Sequence, residues 1–307
     1  MGILYAGCDD DGPVNVPAEP PAPEPPTYSE DFGKQIVFTV KGVKFTMMLV
    51  EGGTYAMGAT SEKKHFMVKY QNDRGEEKEG WVEYAEDDEL PVHNVTLSNY
   101  YIGETEVTQE LWNTVMGENP SNFKGDLQRP VEMVSWNDCQ EFIAKLNKLT
   151  GKAFRLPTEA QWEFAAGGGN KTKKYPYSGG YDLDAVAWHI FNASETTHPV
   201  KTKRPNELHL YDMSGNVWEW CADWYGTYSA DEQTDPTGPI KGEKRVVRGG
   251  AWSYGGGMEA LDIYDEKGNK ITIANIEKCK IKYFPVAYRN YCEPEFSWYA
   301  CGLRLAL

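Results

Sequence analysis

The chain has 307 residues, room for one large domain or two small ones with a sizeable core. Its 31 Lys and Arg against 46 Asp and Glu leave a net charge of −15, which argues against binding nucleic acid or an anionic lipid surface through bulk electrostatics. With 19 Tyr, 10 Trp and 30 Gly and no run of ~18 apolar residues, the composition predicts a loop-rich fold with packed rings and no membrane-spanning segment.

The first elements are not folded ones. Ala6-Gly7-Cys8 places small residues before a cysteine, the pattern that ends a bacterial lipoprotein signal, so residues 1–12 read as the remnant of a signal with Cys8 as the lipid anchor. The acidic run Asp9-Asp10-Asp11 is similar to surface-export signals of Gram-negative lipoproteins. Residues 13–30 form a tether. Seven prolines within positions 13–27 favour extended polyproline II at ~3.1 Å per residue.

A domain is expected over residues 31–307. Ile36, Phe38 and Val40, then Phe45, Met47 and Leu49, alternate with strand period around a Lys41-Gly42 turn. Residues 61–89 are polar and read as an insertion, with a hairpin of Phe66–Tyr70 and Trp81–Tyr84. Three helices are marked by their starts: Thr108 before Gln109, Ser135 with Asp138, and Thr158 with Gln161, the last closed by Gly167. Beyond residue 170 the pattern is short strands and long loops. A second insertion covers 257–280, with a hairpin at Asp265–Asn269. Arg155 and Arg304 stand among apolar neighbours and each calls for a buried carboxylate, for which Glu159, Glu163 and Glu219 are the candidates.

Seven motifs arrive in order: Met48–Gly58, Tyr101–Gln109, Arg129–Trp136, Phe154-Arg-Leu-Pro-Thr-Glu-Ala-Gln-Trp-Glu163, Tyr211-Asp-Met-Ser-Gly-Asn-Val-Trp-Glu-Trp220, Arg245–Gly250 and Gly302–Ala306. Together they resemble the formylglycine-generating-enzyme, or sulfatase-modifying-factor, family. The resemblance implies an α+β fold: a single C-type-lectin-like domain with much irregular backbone.

The family's chemistry, as the resemblance implies it, oxidises a substrate cysteine with O₂ at a copper ion held by two thiolates; soft sulfur suits Cu(I). The positions that match the two cysteines fall at Tyr254 and near Ile281, and the nearby Cys279 is at most a lone remnant. Catalysis and copper are therefore not expected. The five histidines form no HxxxH or HxH pair for a three-histidine iron site, and there is no GxSxG. The family's calcium site maps onto Asp212 and Glu219 by side chain and Gly215 and Val217 by carbonyl, a hard-oxygen set. A second family site, near Ala185–Trp188, has Val186 where an oxygen is needed and is expected to be lost.

Trp252, Tyr254, Trp298 and Tyr299 come from the two segments that shape the family's substrate groove and are candidates for a binding cleft. Cys292 and Cys301 flank one aromatic run and are candidates for a disulfide; Cys139 and Cys221 read as buried thiols. The resulting expectation is a non-catalytic module that binds a glycan or a protein, on an outer-membrane lipoprotein facing the surface or the periplasm and held to the membrane only by its lipid. Two other readings stay open: a sulfatase-maturing formylglycine-generating oxidoreductase, and a structural component of a surface assembly.

Overall fold

The computed structural model describes residues 35–59, 64–71, 77–84, 86–253, 263–264, 270–273 and 284–307. The expected anchor Cys8, the tether, and Tyr254, Cys279 and Ile281 lie outside these residues.

The alternating N-terminal segment forms β1 (Gln35–Val40) and β2 (Val43–Val50), paired antiparallel. Lys41 and Gly42 both take positive φ, 47° and 91°, the requirement of a primed two-residue hairpin turn. β7 (Tyr100–Gly103) adds to the far side of β2. A second sheet joins β3 (Gly53–Met57), β6 (His93–Leu97) and the short parallel β9 (Gln233–Thr234). Gly52 admits the close approach between them, since a Cβ there would fall 2.0 Å from the Leu97 carbonyl oxygen.

Each expected helix is present and capped as its sequence demands. α1 (Gln109–Met116) starts at Thr108, whose side chain accepts from Leu111 N–H. α2 (Trp136–Thr150) and α3 (Glu159–Ala166) carry full capping boxes, Ser135 with Asp138 and Thr158 with Gln161. A short α4 (Leu183–Val186), absent from the sequence reading, begins at Asp182. α1 and α2 stack Trp112 on Phe142, with centroids 4.8 Å apart.

The central sheet runs β13 (Arg289–Cys292), β10 (Arg245–Arg248), β8 (Trp218–Trp224), β14 (Cys301–Leu303) in spatial order, with β14 parallel to β8. β8 separates two cores. Trp218 and Trp220 belong to the cluster with α1 and α2; Cys221 belongs to the cluster around Trp162 of α3. The two insertions form one sheet together: β4 (Lys64–Gln71) and β5 (Glu77–Tyr84) pair as a hairpin, and β12 (Lys270–Ile273), itself paired with β11 (Ile263–Tyr264), adds to β4.

Candidate functional site

Strand alternation sends Glu219, Cys221 and Asp223 to one face of β8, the face that α3 covers. Charged side chains from α3, β8, β10 and β13, with Arg304 just past β14, meet there as a buried ladder. At one end Arg304 donates through Nε and Nη2 to Glu219, at 2.6–3.0 Å, and through Nη1 and Nη2 to the carbonyls of Gly103 and Tyr211. Trp162 Nε1 donates to Glu219 Oε2 at 2.7 Å, so both oxygens of that carboxylate are occupied. In the middle Arg248 pairs with Glu163 and donates to the carbonyls of Ala287 and Tyr288. At the other end Arg289 forks onto Glu159, with Nε–Oε1 2.9 Å and Nη2–Oε2 2.7 Å.

The sequence reading offered Glu159, Glu163 and Glu219 together as partners for Arg304 and Arg155; Glu219 takes Arg304, while Arg248 and Arg289, which it did not name, take the other two. Arg155, expected to need a carboxylate, instead donates to Gln161 Oε1 at 2.7 Å and to the Leu156 carbonyl; it is half-buried, and a neutral acceptor suffices.

Two aspartates flank the ladder. Asp212, 2% exposed and at φ 57°, accepts from Lys201 N–H through Oδ2 at 2.9 Å, while its buried Oδ1 has no partner. Burial raises its carboxyl to about 6. Beside it Glu106, also buried, accepts from Val217 N–H and Asn216 Nδ2, and burial followed by the charges of Asp212 and Glu219 raises it. Asp223, 4% exposed, accepts from Glu159 N–H at 2.9 Å, at the first turn of α3; burial, then the Glu159 charge, raises it to about 7.

The calcium set fits at one end only. Asp212 offers a buried, orphaned oxygen, the state expected of a ligand. Glu219 is already the counter-ion of Arg304 and the acceptor for Trp162, three N–H groups on its roughly four lone-pair sites, which leaves it little capacity for an ion. Among the described residues no set of three or more His, Cys, Asp and Glu is positioned to hold a metal.

The described thiols do not suit a two-thiolate copper centre either. Cys139, Cys221 and Cys301 are buried and burial raises each thiol; Cys292 stands half-buried, raised to about 11 chiefly by burial. The expected Cys292–Cys301 disulfide is not formed, and both are free. They sit on the two edge strands of the central sheet with β10 and β8 between them. Three strand spacings of ~4.8 Å therefore separate the edges, beyond a bridge whose Cα atoms must approach to about 4.4–6.8 Å.

Of the cleft residues, Trp252 and Tyr299 are brought together and Trp298 packs elsewhere. Trp252 and Tyr299 lie 5.5 Å apart, both edge-on to Phe123, and Trp252 Nε1 donates to the Tyr299 carbonyl. Trp298 packs on Trp220 and Phe296. Trp252 is 8% exposed and acts as core, whereas Phe296, Tyr299 and Tyr291 are 51%, 47% and 40% exposed. These three exposed rings stand on one stretch of chain, 291–299, and the sequence reading named only Tyr299 among them.

The family model for the Sulfatase-modifying factor enzyme 1-like domain matches residues 37–307. The chain belongs to this family. It is 35% identical over 237 residues to "Chaperone protein LppX" of Paenibacillus barcinonensis, covering 58% of this chain and 81% of that one. It is 32% identical over 233 residues to the formylglycine-generating enzyme of Streptomyces coelicolor, covering 55% and 72%. It spans only 33% of the Chlamydia pneumoniae serine/threonine-protein kinase pkn1, to which it is 35% identical. The solved structure of Treponema denticola variable protein 1 superposes with a TM-score of 0.67 at 30% identity, over 89% of this chain and 98% of that one. The α+β architecture is thus that of the sulfatase-modifying-factor fold.

Proposed function

We propose that this sulfatase-modifying-factor domain is a non-catalytic binding module of the cell envelope, and that its binding surface is the aromatic rim of Tyr291, Phe296 and Tyr299. The exposure of three large rings on one short stretch of chain carries this reading, because solvated aromatic surface favours contact with a partner. A protein ligand is favoured over a glycan: Trp252 is sunk in the core rather than offered to a sugar face, and a relative carries the name of a chaperone. The lipoprotein placement rests on Cys8 and the Pro-rich tether. Among the described residues no helix is long and apolar enough to cross a membrane.

Suppression of aggregation of a reduced, unfolding client protein tests the reading. The unmodified protein is expected to suppress it, and Phe296→Ser with Tyr299→Ser to lose that effect while keeping the same melting temperature. A glycan-array response lost in the same variant would replace the protein ligand by a sugar.

The enzymatic alternative draws on the formylglycine-generating relatives. With Tyr254 at the first cysteine position, incubation with copper, O₂ and a cysteine peptide of sulfatase type is expected to give no formylglycine by mass spectrometry. Product lost on Cys279→Ser would reverse this. Calcium at Asp212 with the Gly215 and Val217 carbonyls predicts a calcium-induced rise in melting temperature that Asp212→Ala abolishes.

A further inference from the structure

We propose that the cavity between β8, α3 and the 226–239 loop binds a small organic cation, a primary ammonium on a short alkyl stem, with Asp223 as its counter-ion. The cavity has a volume of about 360 Å³ and is lined by Asp223, Glu159, His93, Met57 and the hydroxyl residues Thr227 and Thr237. It lies at the opposite end of β8 from Asp212 and shares no residue with the aromatic rim.

The charges around it are unevenly matched. Arg289, which also lines it, commits Nε and Nη2 to Glu159 and Nη1 to the carbonyls of Asp88 and Gly226. Arg248 is committed to Glu163, Arg245 donates to the Ala222 carbonyl, and Arg155 to Gln161. Each of these guanidiniums has its own acceptor, and none contacts Asp223. The carboxylate is held by backbone N–H groups alone, that of Glu159 and, more weakly, its own. Arg289, Arg245 and Arg155 lie near enough to favour its ionised form without pairing with it, so the carboxylate has no bound cation and the adjoining space can admit one.

The lining fits an ammonium better than other ligands. An ammonium has three donors and no acceptor. Nδ1 of His93 lies 3.1 Å from the Pro91 carbonyl, which can only accept, so Nδ1 carries a proton and Nε2 is the acceptor of that tautomer. Asp223 and the two threonine hydroxyls add further acceptors, while Met57, Ala160, Pro236 and Pro239 supply apolar wall for an alkyl stem. An anion would face Asp223 and Glu159. A metal ion would find no ligand set of three or more His, Cys, Asp or Glu among the described residues. The loop reaches the carboxylate through Gly238, at φ 73°, where a Cβ would fall 2.9 Å from Asp223 Oδ1.

Calorimetric titration of the full chain with n-butylamine, and separately with N-acetyl-lysine methylamide, tests the proposal, with n-butanol as the uncharged control. Saturable binding of at least one amine and none of the alcohol is expected. Binding should tighten about tenfold from pH 6 to pH 8, as Asp223 ionises. At pH 6 the incoming ammonium displaces the Asp223 proton to solvent, so close to one proton is released, read from buffers of different ionisation enthalpy; at pH 8.5 almost none is. Asp223→Asn should weaken binding at least tenfold and remove the pH dependence. Thr227→Trp, at an exposed position on the rim, should block the cavity without altering the melting temperature. Response to the lysine derivative alone would identify a protein side chain as the source of the ammonium. Equal binding of butanol, no saturable heat with either amine, or unchanged binding by Thr227→Trp would overturn the proposal.

Discussion

Asp212 and Asp223 end the same buried ladder, yet they sit in opposite surroundings. Both are more than nine-tenths buried, both are raised by burial, and neither touches a guanidinium. Asp212 is enclosed, with Glu106 and Glu219 as like-charged neighbours and an oxygen that meets nothing. Asp223 stands at the start of α3 and lines an open cavity. An enclosed surplus carboxylate must take a proton or a desolvated ion; one beside a cavity can take water or a larger cation. The geometry next to the charge, rather than the charge itself, decides what each end can do.

Removing an arginine from each end is the strongest way to break this contrast. Arg304→Met leaves Glu219, Glu106 and Asp212 in a closed space without a paired cation, and about 3–5 kcal/mol of stability is expected to go. Arg289→Met leaves Glu159 with the Tyr228 hydroxyl and with Arg248 at 3.8 Å, and beside the cavity, where water can reach it. Its loss should be the smaller of the two. Urea unfolding of both variants measures the difference, and equal losses would show that the cavity does not soften the charge.

Titration sharpens the Asp223 end. Its folded carboxyl lies near 7 against ~3.9 in an unfolded chain, so the folded state binds the proton more tightly. Stability from this group is full below pH ~4 and is lost as pH rises through 7, with a slope approaching one proton, or ~1.4 kcal/mol per pH unit. Asp223→Asn keeps the acceptor for Glu159 N–H and removes the titration. The unmodified protein minus the variant should therefore lose stability between pH 4 and 7; a flat difference curve would mean that Asp223 is ionised throughout, already matched by a cation.

Much of this scaffold was legible because local chemistry specifies it. Thr108, Ser135 and Thr158 announce helices through side chains that serve their own backbone, and Lys41-Gly42 suits a turn that needs positive φ twice. The ladder was less legible because it is assembled from distant segments: Glu163 finds Arg248 across 85 positions and Glu159 finds Arg289 across 130. A trace was present even so. Glu219, Cys221 and Asp223 alternate with Trp218, Trp220 and Trp224, which marks a strand whose one face carries two carboxylates and therefore requires cations opposite. The joining of the two insertions into one sheet, Thr272 to Gln71 and Ile273 to Tyr70, left no such trace, since backbone pairing is indifferent to side-chain identity. The disulfide expectation failed for a related reason: nearness in sequence placed Cys292 and Cys301 together, and strand order put them at opposite edges.

The smallest expected effect tests how Asp223 is held. The start of α3 is fixed three times: the Thr158 side chain accepts from Gln161 N–H, Gln161 Oε1 accepts from Thr158 N–H, and Asp223 accepts from Glu159 N–H. Thr158→Ala removes the first, at a cost of about 1 kcal/mol. If the helix start then frays, the N–H that favours the ionised aspartate is held less firmly, and the Asp223 carboxyl should rise further, moving the upper end of the pH-dependent loss to higher pH. The Asp212 end, whose N–H comes from Lys201, should not respond. An amide-detected or carboxyl-detected NMR titration separates the two aspartates. An unchanged Asp223 midpoint in Thr158→Ala would mean that packing of α3 on β8, and not its cap, aims the Glu159 N–H, which would make the contact part of the core rather than of the helix end.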